Sequence, residues 1–492
     1  MTNLTEAKLF INGELRAAAS GKTFDVISPW TDAPVNKAAD AGPEDVEAAI
    51  VAARNAFDNT DWSHDSNRQR RFEIVAKYLE LFKANFDRLA DFAVHEGGCA
   101  RGSVHREQVA MALAGWQDYL DVFPRVEWVK DYGDKVMWGM NNTRKAYHEP
   151  LGVIGAITPW NAPLYVNVGK VVAALLAGCA VILKPAPDTP SLGAIFGELA
   201  NEAGIPAGVL NVVFGSDPAL AGEMLVKDPR VDLISFTGST AVGKRIMEQG
   251  APTLKRVFLE LGGKSARIVL EDDPNFERNV AMGMLVNHAG QGCAVQSRLL
   301  VQRSRYEEAK AILKATYANF EGNWGDIENP AHTMGPVVNR KQYDRVLGLI
   351  EVGKQEATLL AGGNARPDKG PGYLIEPTCF VDVTTDMRIA QEEIFGPVVV
   401  VIPFDDDADA IRIANDSAYG LSGGVCTGDI ERGLAIGRRI HTGTFSVNNG
   451  MCIAGDLPFG GCKASGVGRE WGVEGIEEFL ETKLIAVGSV AG

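Results

Sequence analysis

Apolar and polar positions follow two rhythms along this chain, and the change between them divides it. Residues 43–58 and 66–96 carry apolar side chains at helical spacing, and 104–122 reads as a further helix. Pro43-Glu44-Asp45 gives the earliest of these an acidic first turn. The stretch 125–149 differs. Val126, Trp128, Val129, Val136, Met137, Trp138 and Tyr147 are strand formers among polar turns, which predicts a hairpin turning at Tyr132-Gly133-Asp134. A ribbon of that kind cannot bury both faces alone. It reads as an arm that packs on another subunit, against the plainer reading of a surface hairpin on its own domain. From residue 151 short apolar runs alternate with helical segments. The runs are 152–157, 181–183, 209–213 and 233–236, with helices near 164–178, 191–203 and 217–227. A second alternating region follows, with strands at 266–270, 298–301 and 398–402 and helices near 274–289, 304–319, 339–354 and 407–417. The tail ends in a strand-like run at 484–487.

Strand–helix alternation predicts an α/β fold of parallel sheets with crossover helices. Ligands in such sheets bind beyond the carboxyl ends of the strands. Those ends carry Thr158-Pro159-Trp160-Asn161, Lys184-Pro185-Ala186-Pro187, Phe214-Gly215-Ser216 and Thr237-Gly238-Ser239-Thr240. The glycine-rich runs 362–372 and 460–468 are the linker candidates.

Composition narrows the function more than the fold. A length of 492 residues predicts two or three domains. The net charge of −15 argues against a general nucleic-acid or anionic-membrane binder, which needs a basic surface. The seven cysteines are scattered, with no CxxC pair and no zinc-like spacing, so no metal is expected. Such a set fits a reducing compartment, and with no secretion-signal pattern at the N-terminus the expected location is the cytoplasm. The apolar run 171–183 lies between Lys170 and Lys184 and is too short to span a bilayer.

Two segments carry the chemistry. Gly290-Gln291-Gly292-Cys293-Ala294-Val295 sets one thiol among small residues, and Phe258-Leu259-Glu260-Leu261-Gly262-Gly263-Lys264 sets one carboxylate among apolar ones. A thiol attacks electrophilic carbon as its thiolate. A carboxylate with apolar neighbours has a raised pKa, which suits it to take a proton from water near neutrality. Nucleophile and base together can make a thioester and hydrolyse it. Taken singly, Cys293 also reads as a small buried hydrophobe and Glu260 as a structural strand-end carboxylate. Ser239, at a strand-to-helix turn rich in glycine, suits a phosphate, although the segment is not GxGxxG. Lys184 at a strand end suits ribose hydroxyls or a phosphate. Asn161 offers an amide to an oxyanion or a cap to the following helix. Glu392 and Glu393, before Phe395-Gly396-Pro397, offer carboxylates to a ribose.

In order and spacing, Phe258-Leu259-Glu260-Leu261-Gly262-Gly263-Lys264, Gly290-Gln291-Gly292-Cys293, Glu393-Ile394-Phe395-Gly396-Pro397 and Pro458-Phe459-Gly460-Gly461 closely resemble the NAD(P)-dependent aldehyde dehydrogenase superfamily, over nearly the whole chain. The resemblance implies a Rossmann-type cofactor domain (1–122 and 147–258), an α/β catalytic domain (259–471), and an oligomerisation arm with a C-terminal strand (123–146 and 472–492). It implies Cys293 as nucleophile, Glu260 as the base that activates water, Asn161 with the Cys293 backbone N–H as oxyanion donors, and Glu470 as a second carboxylate relaying protons. The matching coenzyme positions are Ile157, Thr158, Trp160, Lys184, Ser239, Glu393 and Phe395. The matching funnel positions include Ala162, Val166, Gly169, Met451, Cys452, Ile453 and Phe459. Self-association as a homodimer or homotetramer is implied as well.

Pro187 departs from the pattern, since many NAD-using members carry a ribose-binding glutamate there. It has no acceptor for the 2′-hydroxyl and no charge to repel a 2′-phosphate, so NAD is expected with NADP left open. Glu260 disfavours the coenzyme-A-acylating branch. The funnel set has small residues and no charge, which predicts a bulky, apolar aldehyde, aromatic or terpenoid, over a semialdehyde or betaine aldehyde. Rival expectations are a non-catalytic structural relative, or a cofactor-free thiol hydrolase using His288, which lies in a helical stretch.

Overall fold

The computed structural model describes residues 4–490. Two sheets of mainly parallel strands carry the chain. The first runs, in spatial order, Gly466–Val467, Arg256–Glu260, Leu233–Thr237, Val153–Ile157, Ala180–Lys184, Leu210–Val212, Leu9–Ile11 and Glu14–Arg16. Its five central strands are parallel to one another. Four of them are buried along their whole length, as continuous apolar runs should be when helices cover both faces. The chain leaves Val153–Ile157 to one side for the next two strands, then returns to its other side for Leu233–Thr237. That reversal makes a crevice at the carboxyl ends of these strands. The helices Pro163–Ala177 and Ser191–Ala203 each stop on a left-handed glycine, Gly178 and Gly204, as a C-terminal cap requires.

The second sheet orders Thr358–Ala361, Thr378–Val381, Val398–Phe404, Arg298–Gln302, Ala266–Val269, Gly423–Cys426 and Ser446–Val447. Separate apolar clusters pack on its two faces, around Phe380 and Ile402 and around Leu299 and Val401. A third sheet pairs Leu480–Val490 with Met140–Pro150, and that strand with Val129–Met137. It stands out from the body, with Trp138 94% exposed and Val487 65% exposed.

Several expectations need correction. The hairpin turns at Trp138-Gly139, both at positive φ, which matches the twist of a two-residue hairpin loop. Tyr132-Gly133 instead falls at a register shift between Asp131 and Asp134. The helix expected over 274–289 covers only Phe276–Ala281. Beyond it His288 and Ala289 take left-handed backbone, and a short 3-10 turn spans Asn287–Gly290. The helix expected over 66–96 is two, Arg68–Ala84 and Phe86–His95. Neither glycine run is a free linker. Gly370 and Gly372 pack on Trp30, and Gly466–Val467 is an edge strand.

Candidate active site

Glu260 is the last residue of Arg256–Glu260, held between Thr237 on one side and Gly466 on the other. The next five residues, 261–265, cross from the first sheet to the second, which begins at Ala266. The crossing is tight. A Cβ on Gly262 would lie 2.4 Å from Glu393 Oε2, and one on Gly263 would lie 2.5 Å from the carbonyl oxygen of Cys293. The Gly263 N–H donates to Glu393 Oε1 at 2.9 Å. Two glycines therefore let the base strand, the nucleophile loop and the Glu393 loop meet.

The nucleophile loop is fixed from inside. Gln291 is 1% exposed; its amide donates to the His288 carbonyl at 3.0 Å and its side-chain oxygen accepts the Val338 N–H at 3.0 Å. Its own carbonyl accepts Asn161 Nδ2 at 3.0 Å. An amide nitrogen has two hydrogens, so Asn161 keeps one for another acceptor. Gly290 closes against the Gly396 carbonyl, 2.1 Å from where a Cβ would stand, with φ +71°. His288 lies on this strained turn, with Nδ1 3.4 Å from Cys99 Sγ. Burial pulls its pKa down to about 4, which makes it a neutral packing group and a poor partner for a thiolate.

Cys293 and Glu260 are neighbours. Burial pushes the Cys293 thiol well above its usual range, and the Glu260 charge beside it pushes the same way. Burial raises Glu260 to about 8, opposed by a hydrogen bond from the thiol. Glu260 is 2% exposed, and its Oε1 has no hydrogen-bond partner among the described residues. An unpaired carboxylate facing a thiol is a proton acceptor waiting for a donor.

Glu470 sits close by, bridged to Phe459 through the backbone. Its Oε1 is 3.0 Å from Lys170 Nζ, which also donates to Ser235 Oγ at 3.2 Å. Burial raises the Glu470 pKa while Lys170 opposes it. Sequence reasoning missed Lys170, though a signal was there. It is a lone cation in a helix, Pro163–Ala177, whose every residue is buried. Gly169, expected to line the funnel, is taken up by this pair. A Cβ there would lie 2.9 Å from the Glu470 carboxyl carbon and 3.1 Å from the Trp471 ring. Also missed were Tyr165 and Trp471, whose rings pack at 4.3 Å.

The other funnel positions divide by exposure. Val166 and Phe459 are buried, Ala162, Cys452 and Ile453 are half-buried, and Met451 is 78% exposed, at a rim instead of a wall.

The coenzyme positions line the crevice at the strand switch. The Thr158 and Thr237 hydroxyls are buried there without partners, and Lys184 ends the adjacent strand with its pKa lowered to about 8 by burial. Ile157 closes the same strand as Thr158. Ser239 caps Thr240–Gly250, accepting the Val242 N–H at 3.4 Å, and the first turn of a helix leaves further N–H groups that can hold an anion. Across the crevice Glu393 is anchored by Gly263, and Trp160 meets Phe395 edge-on at 5.4 Å. Orphaned hydroxyls, a buried ammonium and a helix start suit a ligand with both hydroxyls and phosphates, so these residues fit a dinucleotide. Among the described residues no group of His, Cys, Asp and Glu could hold a metal ion, and no helix is long and apolar enough to cross a membrane.

Comparison with known proteins agrees with this geometry. The profile of the aldehyde dehydrogenase family matches residues 16–485. Aldehyde dehydrogenase 1 of Tanacetum cinerariifolium is 40% identical over 489 residues, 97% of this chain and 94% of that protein. The 3-succinoylsemialdehyde-pyridine dehydrogenase of a Pseudomonas species is 39% identical over 482 residues, covering 97% and 98%. The crystal structure of betaine aldehyde dehydrogenase from Staphylococcus aureus in complex with NAD+ superposes with a TM-score of 0.93 at 32% identity, over 99% of this chain and 95% of that one.

Proposed function

This chain belongs to the aldehyde dehydrogenase family and is an NAD-dependent enzyme that oxidises an aldehyde to its acid; from that premise we propose which residues do the work and on what. Cys293 Sγ attacks the aldehyde carbon while its proton passes to Glu260. The free N–H of Asn161 and the backbone N–H of Cys293 hold the oxyanion. Bound NAD+ supplies the hydride acceptor that turns this adduct into a thioester. Glu260, once deprotonated, takes a proton from water. The water oxygen adds to the thioester carbon, the C–S bond breaks, the thiol recovers a proton and the acid leaves. Glu470, paired with Lys170, passes the proton from Glu260 onward. Thr158, Lys184 and Ser239 hold the adenosine side of the coenzyme, and Glu393 and Phe395 the nicotinamide side, with Ile157 and Trp160 as walls.

The unpaired, buried Glu260 beside Cys293 carries this reading. NAD is favoured over NADP by Asp188, next to Pro187, whose carboxylate is close enough to Lys184 to interact with it and would repel a 2′-phosphate. The substrate is a bulky, largely apolar aldehyde, supported by the apolar Val166, Ile453 and Phe459 and the small Ala162. The Pseudomonas relative, whose name sets a semialdehyde on a pyridine ring, is compatible with an aromatic end. The domain division is 1–122 with 147–258, then 259–471, then the arm of 123–146 with 472–492, although residues 466–467 pair in the first sheet. Exposed Trp138, Leu484 and Val487 support a homo-oligomer built through the arm. Free cysteines throughout the described residues support a cytoplasmic location.

The experiment is reduction of NAD+ and NADP+ side by side over aliphatic, aromatic and terpenoid aldehydes, with Cys293→Ser as control. Aromatic or terpenoid aldehydes should give the highest kcat/KM with NAD+, and the control should lose at least ~10³-fold. Turnover that survives in Cys293→Ser would overturn the assignment of the nucleophile. A far higher kcat/KM for a short carboxylated aldehyde would overturn the substrate class.

A further inference from the structure

Beyond the two carboxylates, one buried polar group near the reaction centre has no task. Tyr165 lies in the first turn of Pro163–Ala177, four residues after Asn161. It is 8% exposed, and its hydroxyl has no hydrogen-bond partner among the described residues. Leaving a buried hydroxyl unpaired costs about 1–3 kcal/mol, so the position calls for an explanation. The ring is held firmly. It packs on Trp471 at 4.3 Å, and Trp471 in turn stacks on Tyr119 at 4.8 Å. Gly115, on the helix Met111–Val122, leaves room for both, since a Cβ there would lie 2.9 Å from Trp471 and 3.4 Å from Tyr165. The hydroxyl is thus pre-aimed by packing. Burial raises its pKa, and the nearby Glu470, Asp118 and Cys293 push the same way.

Asp118 is the second half of the feature. It stands three residues after Gly115 on the same helix and is half-buried. Its Oδ2 accepts the Gly455 N–H at 3.0 Å, which ties the 451–455 segment to the helix. A Cβ on Gly455 would lie 2.5 Å from Gly115 Cα and 2.8 Å from Asp118 Cβ, so this contact is close and needs no side chain. Oδ1 of Asp118 is engaged by no described hydrogen-bond donor in the same way. Gly115 thus borders the Tyr165 ring on one side and the Gly455 segment that Asp118 holds on the other, which brings a donor and an acceptor into one neighbourhood.

We propose that this pair recognises a hydroxyl group at the far end of the aldehyde, so that the substrate is a hydroxylated, otherwise apolar aldehyde. The substrate hydroxyl accepts from Tyr165 Oη and donates to Asp118 Oδ1. In the free protein the Tyr165 hydroxyl is buried and has no partner among the described residues. Tyr165 is a specificity-determining residue in this arrangement and takes no part in bond making. The inference deepens the reading of Cys293 and Glu260 above and rests on it.

The test uses 4-(hydroxymethyl)benzaldehyde and 4-ethylbenzaldehyde, which match in shape and differ in one hydroxyl, and the full-length enzyme with NAD+. Oxidation of either compound by the wild type reports on the chemistry alone; failure with both would sink the reading of Cys293 and Glu260 and this one with it, whereas failure with the ethyl compound only is the expected preference at its limit. Given that oxidation, the wild type should prefer the hydroxymethyl compound in kcat/KM. Tyr165→Phe should reduce that preference about tenfold, the size of one hydrogen bond left unmade. Tyr165→Met, which removes the hydroxyl with a different shape, should move the ratio the same way, so that a packing defect in one variant does not decide the matter. Asp118→Asn should lower it by a smaller factor. An equal preference in the wild type and both Tyr165 variants would overturn the proposal, as would a wild type that favours the ethyl compound.

Discussion

Two carboxylates lie side by side in the middle of this molecule, and their surroundings differ in one respect. Glu470, 5% exposed, has an ammonium 3.0 Å away. Glu260, 2% exposed, has no cation in contact and one oxygen with no partner among the described residues. Burial raises the pKa of both. At Glu470 the Lys170 ammonium offsets part of that penalty, and Lys170 is itself steadied by Ser235 and by the face of Phe258, 4.7 Å away. At Glu260 the countering influences are a hydrogen bond from the thiol and, more weakly, the charge of Lys170, which is spent on Glu470, while the Glu470 and Glu393 charges push the other way. A compensated buried charge stays put; an uncompensated one near neutrality moves protons. The difference teaches that the carboxylate proposed as the base is marked by the partner it lacks.

The strongest way to break this comparison is to remove the titrating group. Glu260→Gln should cut steady-state turnover by about 10²–10⁴, the usual worth of a general base. With the thiol intact, rapid mixing should still show a burst of NADH, slower than that of the wild type because the thiol proton must then leave to water, and followed by still slower hydrolysis of the thioester. A burst as fast as that of the wild type would mean that the thiol proton leaves by a route other than Glu260. The second intervention strikes the compensated side. Lys170→Met leaves Glu470 buried without its cation, and denaturant unfolding should show a loss of about 3–5 kcal/mol. A loss below ~1 kcal/mol would mean that Glu470 is already protonated and that the pair is not ionic.

The third expectation is a pH profile. A base acts only when deprotonated, and Glu260 is raised to about 8. The hydrolytic step should therefore rise with pH through that value, about tenfold between pH 7 and pH 9, and level off above it. Glu260→Gln should flatten this limb. A rate limb centred near 4.5 would show that bound coenzyme and substrate relieve the burial that the free protein imposes.

Much of this was legible along the chain, and what was not has physical causes. Strands such as Val153–Ile157 and Ala180–Lys184 announce themselves because burial on both faces demands unbroken apolar runs. Cys293, Glu260 and Asn161 stand out along the chain because each is a polar group among small or apolar neighbours. The segment ahead of the Cys293 loop, 282–289, reads as helix since its apolar spacing continues past Ala281, while His288 and Ala289 adopt left-handed backbone that composition does not reveal. The hairpin tip went to Gly133, although Gly139 with Trp138 supplies the turn. Short edge strands such as Glu14–Arg16 have too few residues to show a period. The Lys170–Glu470 pair spans 300 residues, and the packing of Tyr165 on Trp471 joins equally distant segments. Pairing across such gaps leaves no local trace.

The smallest expected effect gives the sharpest form of the comparison. If the Lys170→Met loss comes from stranding a charge, removing that charge should recover most of it. In Lys170→Met with Glu470→Gln both ionic partners are gone, and the amide keeps a polar group where the carboxylate stood. Replacing both members of a buried pair is often close to neutral, so the double variant should unfold within about 1.5 kcal/mol of the wild type. The coupling between the two sites would then account for most of the single-variant loss. Activity provides the other half of the argument. If Glu470 only receives the proton that Glu260 has taken, the double variant should retain the NADH burst and lose only part of its steady-state rate, less than Glu260→Gln loses. A double variant as unstable as Lys170→Met would place the cost in the lost packing of the lysine stem against Phe258, and the two carboxylates would then differ in shape more than in charge.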